Sequence, residues 1–197
     1  GPDQMPTGDF TLSFWFKRGA KPAGTSGGEA MTFLSFANNQ CYQLRQEVLT
    51  ARRSSTHDQI SNGRIRDWSA WYHFVYVNDS STTALYVNGT RQSSTATTPS
   101  GTVAMTIGSN SNTGADNPLT GYLAEVNLLD GTVVGHTSIG GENVIDEFGE
   151  YNTDGLWVPK AISFTAAQYG DRGFRLTFDS TADGGIVWPT CDLKECA

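Results

Sequence analysis

The chain has 197 residues, 38% hydrophobic and 17% charged, with a formal net charge of −7. That length fits one large domain, and no segment approaches the roughly 18 apolar residues that a membrane-crossing helix needs, so membrane insertion is not expected. The acidic balance argues against nucleic acid as a partner, because phosphate is repelled by such a surface. The densest basic stretch, Arg45, Arg52, Arg53, Arg64 and Arg66, is expected to scatter over both faces of a hairpin.

Gly1-Pro2 reads as the scar of a tag-removing protease, so the chain is expected to be an excised fragment with residues 1–9 as a lead-in. From Phe10 to Lys17 the sequence alternates. Phe10, Leu12, Phe14 and Phe16 point one way, and Thr11, Ser13, Trp15 and Lys17 the other. Ala20–Glu29 is a Gly/Pro/Ser loop, and Met31–Ala37 a strand. Cys41–Ala51 and Gln59–Asp67 are expected to be neighbours across the polar turn Arg52–Asp58.

Trp71–Asp79 and Leu85–Gly89 are the most informative stretch. Trp71, His73, Val75 and Val77 share one face of the first strand; Tyr72, Phe74 and Tyr76 share the other. Both faces are apolar, so the strand is expected to be covered on both sides. Asn88-Gly89 supplies the positive φ angles of a tight hairpin turn. Asn78-Asp79-Ser80 and Asn88-Gly89-Thr90 match the glycosylation sequon, yet both read as turns.

Further on, Val103, Met105 and Ile107 alternate before Gly108, and Ser109–Pro118 is a polar loop. Gly121–Leu129 is a strand closed by Asp130-Gly131. Phe148–Glu150 and Gly155–Lys160 read as turns with anchored aromatics, and Gly173–Phe178 as a last short strand. Short strands with regular turns and almost no helical period predict an all-β sandwich of two antiparallel sheets over residues 10–178, with 179–197 a C-terminal extension. Cys41 reads as a small buried hydrophobe, while Cys191 and Cys196 either close a small loop or stay free thiols.

Phe10–Phe16, Trp71-Tyr72-His73, Leu85–Gly89, Ile107-Gly108 and Gly121–Val126, in that order, resemble the concanavalin A-like/laminin G-like jelly-roll superfamily. A narrower resemblance runs from residue 121 to 178 through Gly121–Gly131, Phe148–Glu150, Gly155–Lys160, Tyr169-Gly170 and Gly173–Phe178. These look like lectin-like domains in structural proteins of tailed bacteriophages, particularly marine ones. The Cys-containing tail after Trp188 departs from that pattern.

Retaining glucanases of this fold place two carboxylates on one strand face. Asp146, Glu147 and Glu150 do not form such a face, because Gly149 interrupts them, and Glu125 stands alone, read as facing the same way as Leu123 and Asn127. Glu125 is therefore expected to bond to backbone or arginine, His73 to be a satisfied core histidine, and the protein not to be an enzyme. Sugar sites pair an aromatic platform with Asn/Asp side chains. The candidate platforms are Trp15, Trp68, Tyr72 and Trp157; the polar candidates are Asn110, Asn112, Asp116 and Asn117. Of these, Asn112, Asp116, Asn117 and Trp15 are the expected ligand-binding residues. For Trp15, packing under the Gly-rich loop or against the Trp157 segment is the competing reading. No cofactor is expected, beyond weak calcium in the Ser109–Pro118 loop.

The resemblance implies a non-catalytic bacteriophage virion module, on a tail or capsid appendage, that contacts host-surface glycan. A purely structural module, self-associating or bound to other virion proteins, and an extracellular laminin G-like adhesion domain are the alternatives; a glycan hydrolase comes last. The expected location is the virion, assembled in the host cytoplasm, or alternatively the extracellular space.

Overall fold

A computed structural model describes residues 5–20, 30–37, 39–79, 82–92, 105–110, 117–134, 146–178 and 186–187. Its strands are β1 (Phe10–Arg18), β2 (Ala30–Ala37), β3 (Gln40–Arg45), β4 (Val48–Arg53), β5 (Thr56–Gln59), β6 (Tyr72–Asp79), β7 (Thr82–Val87), β8 (Thr90–Arg91), β9 (Thr106–Ile107), β10 (Gly121–Asp130), β11 (Gly149–Tyr151), β12 (Trp157–Pro159), β13 (Phe174–Leu176) and β14 (Ile186–Val187), and a single helical turn is α1 (Ala166–Tyr169). Among the described residues these form a seven-stranded sheet, β14-β13-β10-β1-β6-β7-β8, a five-stranded sheet, β5-β4-β3-β2-β9, and the hairpin β11-β12. The two main sheets are antiparallel.

The alternation of β1 decides the first core. Phe10, Leu12, Phe14 and Phe16 meet Phe74 and Tyr76 of β6 and the Phe33, Leu34 and Phe36 side chains of β2 between the sheets. Phe14 is fully buried and stacks on Phe74 at 4.6 Å. The opposite face of β6 is covered as well, but not by a sheet. Val75, Val77 and Tyr86 pack under Phe148, Tyr169, Trp157 and Phe164 of the segment 146–170. That segment is a third layer on the outer face of the larger sheet. Together with residues 132–134 it covers Thr11 and Ser13, which are polar and outward-facing yet buried: the Thr11 hydroxyl donates to Thr132 O at 2.9 Å and accepts from Val134 N at 3.1 Å.

Three expectations need correction. Cys41–Ala51 is not one strand; β3 and β4 are joined by Gln46-Glu47, both at positive φ (51° and 67°), and the turn after β4 is tighter than Arg52–Asp58, at Ser54-Ser55, although the expected neighbours do meet: Gln59 pairs with Thr50, and Ile60 N and Ile65 N donate to Leu49 O and Glu47 O. Beyond Gln59, residues 60–67 run as coil over the core edge, where Ile60 and Ile65 are buried. The segments read as turns around Phe148 and Trp157 are a β-hairpin, β11 pairing with β12. Last, Leu123 and Asn127 do not share a face. Leu123 packs against the core between the sheets, whereas Asn127 receives the Tyr169 hydroxyl at 2.9 Å on the outer face. The phase flips at a bulge: Ser13 faces Asn127 but Trp15 faces Ala124, so β10 carries one extra residue there.

The turn at Asn88-Gly89 is as expected, with φ of 48° and 73°. Cys41 is buried, and burial pushes its thiol up to about 11. Cys191 and Cys196 lie outside the described residues. Arg45, Arg52 and Arg53 lie on β3 and β4, while Arg64 and Arg66 join Arg18 around Glu47.

Candidate functional site

His73 organises the outer face of β1 and β6. Trp15 is its cross-strand partner, and the two rings stack 4.6 Å apart at 18°. Trp157, from β12, donates its indole N–H to His73 Nδ1 at 3.0 Å. An indole nitrogen only donates, so Nδ1 must accept, and the imidazole proton is on Nε2. From there it donates to Ser13 Oγ at 2.8 Å. Ser13 and His73 are therefore not a nucleophile and its base: Nε2 already holds its proton, and both residues are buried.

Burial pushes His73 from 6.5 down to about 3. Its ring faces Ser13 and Trp15 of β1, Trp157 of β12 and the Phe148 ring at 6.0 Å, none of them charged. The folded protein thus keeps His73 neutral while the unfolded chain protonates it below about 6.5. This contribution to stability is complete above that pH and is lost as pH falls toward 3. Stability should drop by about 2 kcal/mol more between pH 7 and pH 5 in the parent than in His73→Gln, which carries no titrating ring. Urea unfolding of both proteins at the two pH values measures it; equal slopes would contradict a buried neutral histidine.

Trp157 fits against bare backbone. A Cβ added at Gly89 would lie 2.6 Å from its ring carbons, and one at Gly149 also 2.6 Å. The indole is thereby pinned between the β7–β8 turn and β11. Between Trp157 and the sheet opens a cleft of about 500 Å³, lined by Trp15, Ala70, Trp71, Asn88, Ala124, Glu125, Leu156, Trp157, Val158 and Pro159. Its size is that of ordinary small-ligand sites, and its walls are mostly apolar with few polar groups, as such sites usually are. Trp71 is 43% and Leu156 62% exposed, so apolar surface faces the solvent at the mouth.

Glu125 lies at the bulge with φ 50°. Its carboxylate receives Arg175 as a fork, Nε at 2.8 Å and Nη2 at 3.0 Å. Its carbonyl accepts from the Asn127 amide at 2.8 Å. The expected arginine partner of Glu125 is thus found.

Of the expected platforms, Trp15 and Trp157 meet in the cleft. Trp15 packs against the Trp157 segment and lines the cleft at once, although only 4% of its surface is exposed. Tyr72 turns to the core and stacks on Phe16 at 5.5 Å. Trp68 lies over the Arg18 guanidinium at 5.0 Å, away from the cleft lining. Trp71, expected with His73 on a covered strand face, is exposed and lines the cleft; its phase with His73 is the signal that it shares the face of Trp15. Asn112 and Asp116 lie outside the described residues. Asn117 is at φ 49°, its carbonyl accepting from Thr32 N at 3.0 Å, and it does not line the cleft. Asn110 is buried, its amide donating to Asn39 at 3.1 Å and its carbonyl accepting from Ser35, which makes it a clamp on β2. Among the described residues no group of three or more His, Cys, Asp or Glu is arranged to hold a metal ion.

Comparison with solved structures finds similar chains at low identity. A candidate carbohydrate-binding protein from Bacteroides ovatus superposes with a TM-score of 0.53 at 15% identity, over 93% of this chain and 53% of that one. Domain 4 of AbnA, a GH43 extracellular arabinanase from Geobacillus stearothermophilus, solved with arabinotriose, gives 0.48 at 19% identity, over 66% of this chain and 64% of that one. A sialidase from Trypanosoma rangeli gives 0.45 at 15%, over 61% and 20%. This chain therefore spans less than two thirds of each of those chains. No curated protein matches it. The family model Laminin_G_3 matches residues 1–136, which include β1 to β10 and so one wall of the cleft, while Leu156 and β12 of the other wall lie beyond it. With two antiparallel sheets in place and more than half of its length matched, the chain belongs to the concanavalin A-like lectin/glucanases superfamily.

Proposed function

We propose that this is a non-catalytic glycan-binding module whose sugar site is the cleft walled by Trp15, Trp71 and Trp157. The observation that carries the reading is the cleft itself: an indole-walled groove on a rigid sheet, with Asn88 and Glu125 as the polar groups. A sugar ring offers an apolar face for stacking and a hydroxyl edge for hydrogen bonds, which matches that inventory. Among the described residues Glu125 is the only carboxylate on the lining, whereas glycoside hydrolysis by acid and nucleophile or base uses two. The setting we propose is a bacteriophage virion, where many copies on one particle turn weak single-site binding into avidity. The resemblance of residues 121–178 to phage structural proteins supports that setting. Peptides of this chain in purified particles would test it.

A glycan array tests the binding. Trp71→Ala should weaken binding to any array hit by about tenfold or more, since an aromatic anchor at the mouth carries a large share of the contact. Asp116→Ala with Asn117→Ala is the competing experiment. Loss of binding there, with Trp71→Ala unchanged, would move the site to the Ser109–Pro118 loop.

A further inference from the structure

The bulge in β10 is an unusual place for a glutamate. Residue 125 has φ 50° within a central strand, a region that disfavours side chains and that natural proteins keep at functional sites when the surroundings enforce it. Here they do. Asn127 donates to the freed carbonyl of Glu125, Tyr169 fixes Asn127 by donating to its Oδ1, and Arg175 holds the carboxylate. Bulges re-aim side chains, and this one places Glu125 on the lining of the cleft.

From this geometry, and resting on the glycan reading above, we propose that Glu125 is the specificity-determining residue of the cleft: it accepts hydrogen bonds from the hydroxyls of a neutral sugar and rejects acidic sugars. A carboxylate offers about four acceptor positions. The Arg175 fork uses one on each oxygen. The remaining acceptors suit hydroxyl donors, and a charged acceptor makes the stronger hydrogen bond. A uronate or sialate carboxylate would bring acceptors against the acceptors of Glu125, and among the described residues no Lys or Arg lines the cleft to receive it; Arg175, which offsets the charge of Glu125, has its Nε and Nη2 committed to that carboxylate. Neutral glycans are thus selected partly by the cost of leaving the acid of the alternative without a donor.

The test is an array carrying neutral, uronate-containing and sialylated glycans, probed with the parent, Glu125→Gln, Arg175→Lys and Trp71→Ala. The parent should bind neutral glycans and ignore acidic ones. Glu125→Gln should lose about tenfold on neutral glycans, the size of a lost charged hydrogen bond, and its neutral-to-acidic ratio should fall. Arg175→Lys keeps the charge but not the fork, so it should weaken neutral binding while still rejecting acidic glycans. Circular dichroism of each variant identifies a folding failure, in which case Arg175→Lys serves as the readout. A parent that prefers acidic glycans, or a Glu125→Gln protein with an unchanged ratio, overturns the proposal. If Trp71→Ala abolishes binding while Glu125→Gln changes nothing, only the role of Glu125 falls. If Trp71→Ala binds as the parent does, or the array stays blank, the cleft reading falls with it.

Discussion

Phe14→Ala is expected to lower the free energy of unfolding by about 3–5 kcal/mol. Phe14 is fully buried at the centre of β1, stacked on Phe74 and tilted against Phe33 at 5.2 Å. It therefore ties the two sheets together. Removing its ring forfeits the burial and leaves a void that neighbours on two sheets cannot readily fill, because their backbones are fixed by pairing on both sides. Urea unfolding measures the effect. A loss below about 1 kcal/mol would mean that the site collapses freely, which packing at crystal-like density does not allow.

Gly89→Val combines two penalties. At φ 73° a β-branched side chain costs on the order of 1–3 kcal/mol by backbone strain alone. Its Cβ would also stand 2.6 Å from the Trp157 ring, so the indole must leave its seat or the turn must open. The total should be about 3 kcal/mol or more, and Trp157 should lose its bond to His73. Gly149→Ala separates the two effects. It meets the same ring at 2.6 Å without a positive φ, so overpacking alone should cost about 1–3 kcal/mol. Placing Gly89→Val in a Trp157→Ala background should recover the clash and leave the strain. Identical costs in both backgrounds would show that the ring does not press on the turn.

Much of the fold could be read from alternation. The phase of β1 and β6 predicts the burial of Phe14 and Val75, both fully buried, and the need for cover on both faces of β6. Alternation cannot say what supplies the cover. It proves to be a hairpin and a helical turn from 146–170, brought in by contacts distant in sequence. Asn88-Gly89 announced its turn because those residue types tolerate positive φ. Gln46-Glu47 adopts the same kind of turn without such residues, held by the pairing of Arg45 with Val48, and so left no local mark. The bulge at Glu125 was hidden for the same reason. Its φ is set by Asn127, Tyr169 and Arg175, and only Asn127 is near in sequence. The cleft was half legible. Trp15 stands out because it faces away from its phenylalanine neighbours and Trp157 as a candidate platform, but the exposure of Trp71 depends on where β6 begins, and strand ends are poorly marked in sequence.

The most direct measurement is an NMR titration of the indole N–H signals with a neutral oligosaccharide that binds on the array. The signals of Trp71 and Trp157 should shift together and saturate with one dissociation constant, while that of Trp68, which lies outside the cleft lining, stays in place. Saturation with the Trp71 and Trp157 signals unmoved, and shifts confined to the Ser109–Pro118 loop, would contradict the cleft as the binding site.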